Sequence, residues 1–124
     1  MKKLDYTIVF VSDMKRSVEF YRDLLGLPLK SESPHWTEFA TQGTILALHP
    51  ADSITPERSA SGHSPAGSCH PGFVVEDLDA FHQKMQTKGV KCIQPPRMEE
   101  FGGRLALYAD PDGLPLSVAE APKK

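Results

Sequence analysis

The chain has 124 residues, of which 40% are apolar and 24% charged, and its net charge is −2. That size and balance exclude a disordered chain and fit one ordinary domain, able to bury a core without metal or disulfide staples. Both charge signs are interspersed with no Lys/Arg run, which argues against nucleic acid or an anionic membrane surface as partner. The apolar runs are strand-sized, far short of the roughly 20 residues of a membrane helix. The first residues lack the apolar segment of a signal peptide, and the two cysteines, Cys69 and Cys92, make no CxxC pair. A cytoplasmic, reduced setting is the expectation, with both thiols serving in packing.

Residues 6–11 (YTIVFV) are β-branched and aromatic, which predicts a buried strand. Ser12 or Asp13 can cap the helix that starts at Met14. Val18, Tyr21 and Leu25 share one face of that helix, and Gly26 ends it. Three short strands are predicted at 27–30, 36–40 and 44–49, separated by Ser33-Pro34 and Gln42-Gly43. Residues 50–67, rich in Pro, Ser and Gly, read as a linker or a lid. The first pattern then returns. A strand is predicted at 70–75, a helix from Leu78 to about Lys88 closed by Gly89, and strands at 90–93, 104–109 and 116–119. The Asp110-Pro111-Asp112-Gly113 turn precedes the last of these.

The repeat is the most informative feature. Asp13 and Asp77 are 64 residues apart, whereas Gly26 and Gly89 are 63 apart, so one residue is gained or lost within a helix. Neither half can cover both faces of its own sheet. Two βαβββ halves (about 4–49 and 68–120) predict a single α+β domain with a curved eight-stranded mixed sheet, helices outside and a cleft inside.

Three stretches carry a family likeness: VSDMKRSVEFYRDLLGLPL, GFVVEDLDAFHQKMQTKGVKC and RLALYADPDGLPLSVAE. They resemble the two strand–helix signatures and the closing strand of the vicinal-oxygen-chelate superfamily of glyoxalases, bleomycin-resistance proteins and dioxygenases. The resemblance implies four metal-ligand positions, one on the first and one on the last strand of each half. Carried onto this chain they are Tyr6, Ala47, His70 and Ser117. Only His70 is a good first-row metal ligand, and Ala47 has no donor atom. His49, two residues beyond Ala47, shares its face and could join His70 on a divalent metal. Otherwise no cofactor is expected.

Alternation puts Tyr6, Ile8 and Phe10 on the cleft side, with His70, Ser117, Ala47 and His49. Trp36, Glu38 and Arg104 sit on or beside predicted strands and are further candidates for the wall. A ligand cavity of Tyr6, Phe10, Trp36, His49, His70, Arg104 and Ser117 is largely apolar with a few polar groups, as small-molecule pockets are. The expected function is binding of an apolar or aromatic small molecule without the metal cage, with dimer formation implied by the resemblance. The alternative is a lyase or isomerase using His70 with a non-standard metal site or by metal-free acid–base chemistry. No residue is assigned a catalytic role.

Overall fold

A computed structural model describes residues 3–51, 66–100 and 102–122. Most of the connection expected at 50–67, and Phe101 of the glycine-rich turn before residue 104, lie outside the described residues. The chain divides into two compact units, Met1–Ile54 and Thr55–Lys124.

In the first unit, strand β1 (Tyr6–Val11) is followed by helix α1 (Met14–Glu19) and then by strands β2 (Leu29–Ser31), β3 (Thr37–Phe39) and β4 (Ile45–Pro50). The sheet order is β1-β4-β3-β2, with β1 parallel to β4 and the other pairs antiparallel. The second unit repeats this with β5 (Gly72–Val75), α2 (Leu78–Thr87), β6 (Cys92–Met98), β7 (Arg104–Ala109) and β8 (Pro115–Glu120), in the order β5-β8-β7-β6. The fold is thus α+β with tandem βαβββ halves. Its eight strands are hydrogen-bonded as two four-stranded mixed sheets rather than as one continuous ladder.

Each sheet buries one face, and the period of two decides which side chains go there. Val9 and Val11 of β1 are buried together with Leu46, Leu48 and Phe39, and Val18, Phe20 and Tyr21 of the helical segment are buried too. In the second unit Leu78 and Met85 of α2, with Ala106, Tyr108, Leu116 and Val118, make the core. Each fully buried Leu, Val or Phe among these contributes roughly 1.5–3 kcal/mol. Ser17 is also buried, and among the described residues its hydroxyl has no hydrogen-bond partner.

The two helices begin alike and end differently. Asp13 accepts from the Arg16 N–H at 3.1 Å and Asp77 from the Ala80 N–H at 3.0 Å, so each aspartate is the N-cap. At the end of α2 the Gly89 N–H donates to the Gln86 carbonyl and the Val90 N–H to the Met85 carbonyl, a glycine-capped terminus. In the first unit the helix continues as one π-helical turn, Phe20–Leu24, with the Leu25 N–H reaching five residues back to the Phe20 carbonyl. Gly26 at φ +87° then makes the left-handed step that a side chain resists. This turn holds the residue by which the Asp13–Gly26 span exceeds the Asp77–Gly89 span.

Of the strand limits that differ from the expected ones, two have a clear cause in the prolines. The strand predicted at 90–93 runs to Met98, through Pro95 and Pro96. Prolines fit here because β6 is an edge strand whose register against β7 shifts twice. The strand predicted at 70–75 starts only at Gly72, since Pro71 has no N–H to give the ladder. The cysteines are free; Cys69 is exposed, so packing does not account for it, whereas Cys92 is half-buried and burial pushes its thiol up. Among the described residues no helix is long and apolar enough to cross a membrane.

Candidate functional site

The face of each sheet opposite the helix is where the sequence leaves apolar side chains in water. In the first unit this face carries Tyr6 and Phe10, which are 54% and 58% exposed, with Ile8 between them. The parallel register sets Ile8 beside Ala47 and Phe10 beside His49, and Ala47 is in turn opposite Glu38. Trp36 lies just before β3. It is held by Ser33, whose hydroxyl donates to the Trp36 carbonyl at 2.9 Å and accepts from the Trp36 N–H at 3.0 Å. The Ser33-Pro34 turn therefore fixes the backbone that presents the indole.

Four rings meet over this face, edge to face. Tyr6 and Trp36 have centroids 6.2 Å apart, Trp36 and His49 6.2 Å, and Phe10 and His49 5.6 Å. These separations are those of favourable aromatic pairs. The Trp36 indole N–H donates to Glu38 Oε2 at 2.7 Å, and Lys30 Nζ is 3.5 Å from Glu38 Oε1. The indole hydrogen bond, helped by Lys30, holds the Glu38 carboxyl below its usual range against the opposing effect of burial. His49 Nδ1 is 2.7 Å from the Pro50 carbonyl oxygen. A carbonyl only accepts, so Nδ1 carries the hydrogen.

In the second unit His70 lies two residues ahead of β5, and its Nε2 is 2.7 Å from the Ser117 hydroxyl. Ser117 pairs with Gly72 in one ladder and with Leu107 in the other, and Val74, 67% exposed, pairs with Ala119. Next to Leu107 across the following ladder is Gln94, whose side-chain N–H donates to Glu99 at 2.9 Å; Arg97 donates to the same oxygen at 3.2 Å. Gln94 and then Arg97 hold the Glu99 carboxyl below its usual range.

The two units are built to one register. Ile8 pairs with Ala47 as Gly72 pairs with Ser117, so Tyr6 and His70 occupy equivalent positions, as do Ala47 and Ser117. These are the four positions where the superfamily resemblance implies metal ligands. The residues do not fit a metal cage. Ala47 is a fully buried methyl, Tyr6 offers a phenol, and the hydroxyl of Ser117 is hydrogen-bonded to the His70 ring. Within each unit, no three His, Cys, Asp or Glu side chains among the described residues are grouped to hold a metal ion. The two histidines considered as an alternative pair, His49 and His70, belong to different units.

Tyr6, Phe10, Trp36 and His49 are thus brought together on one face, and His70 and Ser117 on another. Arg104, also expected in the cavity wall, makes its contacts with Asp79 of α2 and with Glu120. Its neighbour but one, Ala106, is fully buried opposite Val118, and alternation puts Arg104 on that same helix-covered side. There it donates to both oxygens of Asp79 of α2 at 3.0 and 2.8 Å, with Glu120 3.7 Å away. Glu38 belongs with the aromatic cluster, and the two-residue spacing of Trp36 and Glu38 was the signal for it. Glu99, which the sequence did not single out as a site residue, is half-buried in a polar cluster with Gln94 and Arg97.

A family model of the Glyoxalase/Bleomycin resistance protein/Dioxygenase superfamily matches residues 3–118. The uncharacterized protein YraH of Bacillus subtilis (strain 168) is 34% identical over 119 residues, which cover 90% of this chain and 92% of that protein. The crystal structure of a protein of unknown function from Agrobacterium tumefaciens (strain C58) matches with a TM-score of 0.75 at 30% identity, covering 98% of this chain and 95% of the other. More distant, at 23% identity over 128 residues, is a probable lactoylglutathione lyase of Synechocystis, matched over 96% of this chain and 95% of that one. The tandem βαβββ halves agree with these matches, and the chain belongs to the Glyoxalase/Bleomycin resistance protein/Dioxygenase superfamily.

Proposed function

We propose that the chain binds a small apolar or aromatic molecule on the open face of its first unit, and that it does so without a metal ion. The observation that carries this is the cluster of exposed Tyr6 and Phe10 with half-buried Trp36 and His49 on one sheet face. Contiguous apolar surface left in water marks an interaction site, and rigid aromatic rings supply contact area at little entropic cost. The absence of a donor at Ala47, together with the phenol at Tyr6, supports metal independence.

Trp36 is the sole tryptophan, so the intrinsic emission of the protein reports on this face directly. Titration with an apolar naphthalene dye is expected to quench it saturably, with EDTA making no difference and Phe10→Ala weakening binding several-fold. A linear, non-saturating response would refute binding at this face, and loss of binding in EDTA would refute metal independence.

The hydrogen bond between His70 Nε2 and Ser117 Oγ favours a second reading, a metal-free lyase or isomerase that moves a proton through that pair. The lyase name carried by the Synechocystis relative points the same way. Formation of the lactoylglutathione thioester by the purified chain, abolished in His70→Ala, is the test. No turnover above background removes that substrate for this chain.

A further inference from the structure

We infer that His49 Nε2 is the hydrogen-bond acceptor that orients the ligand, so that the ligand is a flat aromatic bearing an O–H or N–H donor, such as a phenol. This rests on the binding reading given above and names the chemical class that the site takes. The geometry of the ring fixes the argument. Its Nδ1 is 2.7 Å from the Pro50 carbonyl, and that oxygen has no hydrogen to give. Nδ1 is therefore the protonated nitrogen, and in the neutral imidazole Nε2 keeps its lone pair. Among the described residues Nε2 has no hydrogen-bond partner, although the ring is half-buried.

Two aromatic side chains stand against the imidazole. Phe10 and Trp36 flank the imidazole at centroid distances of 5.6 and 6.2 Å. An acceptor beside aromatic rings loses its water when a ligand stacks there, and it then favours a ligand that supplies a donor. The other strong acceptor on this face, the Glu38 carboxylate, already takes the Trp36 indole N–H at 2.7 Å and lies 3.5 Å from Lys30. The rings supply stacking surface and His49 supplies one directional contact, the combination that recognises a planar molecule with a polar edge. His49 stands two residues beyond Ala47, outside the four positions that the superfamily uses for metal.

The probes are 2-naphthol and 2-methoxynaphthalene, which share a ring system and differ in one donor hydrogen. Both are titrated at pH 8 against Trp36 emission. The parent protein is expected to bind the naphthol about 10-fold more tightly than the ether. In His49→Phe, which keeps a ring of similar size, the two affinities become equal. In His49→Gln, which restores an acceptor oxygen, part of the preference returns. Saturable binding of both probes by the parent with no preference, or a preference that survives in His49→Phe, overturns the role of His49 while leaving the binding reading intact. Failure of the naphthol to bind saturably overturns both.

Discussion

Tyr108 offers a sharp test of how the second unit is packed. Its side chain is fully buried, its ring lies 5.7 Å from that of Phe81, and its hydroxyl is 2.8 Å from His82 Nδ1. Burial, reinforced by the nearby Cys92 thiol, pushes the phenol up to about 12 from an ordinary 10. Tyr108→Phe keeps the ring and removes the hydroxyl, so at pH 8 it is expected to cost about 1 kcal/mol, the net worth of one hydrogen bond. At high pH the order reverses. Once the pH passes 10, the unfolded chain releases the phenolic proton while the folded chain still holds it. Stability is therefore lost as pH rises from the unfolded value toward the folded one. The loss reaches about 1.4 kcal/mol at pH 11 and somewhat over 2 kcal/mol by pH 12. The phenylalanine variant has no such term, so the two stabilities should cross near ~pH 11. Urea unfolding of both proteins across pH 8–12 measures the difference directly, and lysines and the other tyrosines cancel in the comparison. A parent-minus-variant difference that stays constant from pH 8 to 12 would show that Tyr108 is not buried as described.

Arg104→Ala is expected to lower the melting temperature through loss of the paired contacts to Asp79 and Glu120, by an amount that shrinks at 1 M salt. Dye quenching of Trp36 should not change in that variant, and a change would contradict a purely structural role for Arg104. Ser17→Ala should stabilise the chain by about 1 kcal/mol in urea melts, because it removes a buried hydroxyl that has no partner among the described residues; a destabilised variant would mean that the hydroxyl is satisfied. Gly26→Ala should cost about 1 kcal/mol at an unchanged m-value, since a side chain resists the +87° backbone angle there.

The fold was legible where the residues repeat themselves. Asp13 and Asp77, Gly26 and Gly89, and the β-branched run of β1 all announce their structural role locally, through capping, left-handed backbone and alternation. The face of Arg104 was not legible. Residues 104–109 read Arg-Leu-Ala-Leu-Tyr-Ala, apolar on both parities, so only the pairing of Ala106 with Val118 decides which side goes inward. The far end of β6 was hidden because Pro95 and Pro96 argue against a strand unless its edge position is known. The tautomer of His49 depends on a contact to the next residue's carbonyl, which residue types alone do not reveal. Glu99 looked like surface charge because its partners Gln94 and Arg97 are brought to it by the register shifts of β6.

The π-helical turn at Phe20–Leu24 has a consequence for which length changes in the gene the protein survives. In a strand, adding or removing one residue turns every following side chain to the opposite face, so a single-codon deletion within β1 or β4 would send the exposed rings into the core. In this helical turn the same change only trades one winding for another. Deleting Asp23, which is exposed, should convert the turn to ordinary α-winding and leave Tyr21 buried and Gly26 in its left-handed step, with a melting temperature close to that of the parent. Deleting Val9 from β1 should abolish folding. Duplicated halves can thus drift apart in length by whole codons without disturbing either sheet, provided that the drift is confined to their helices.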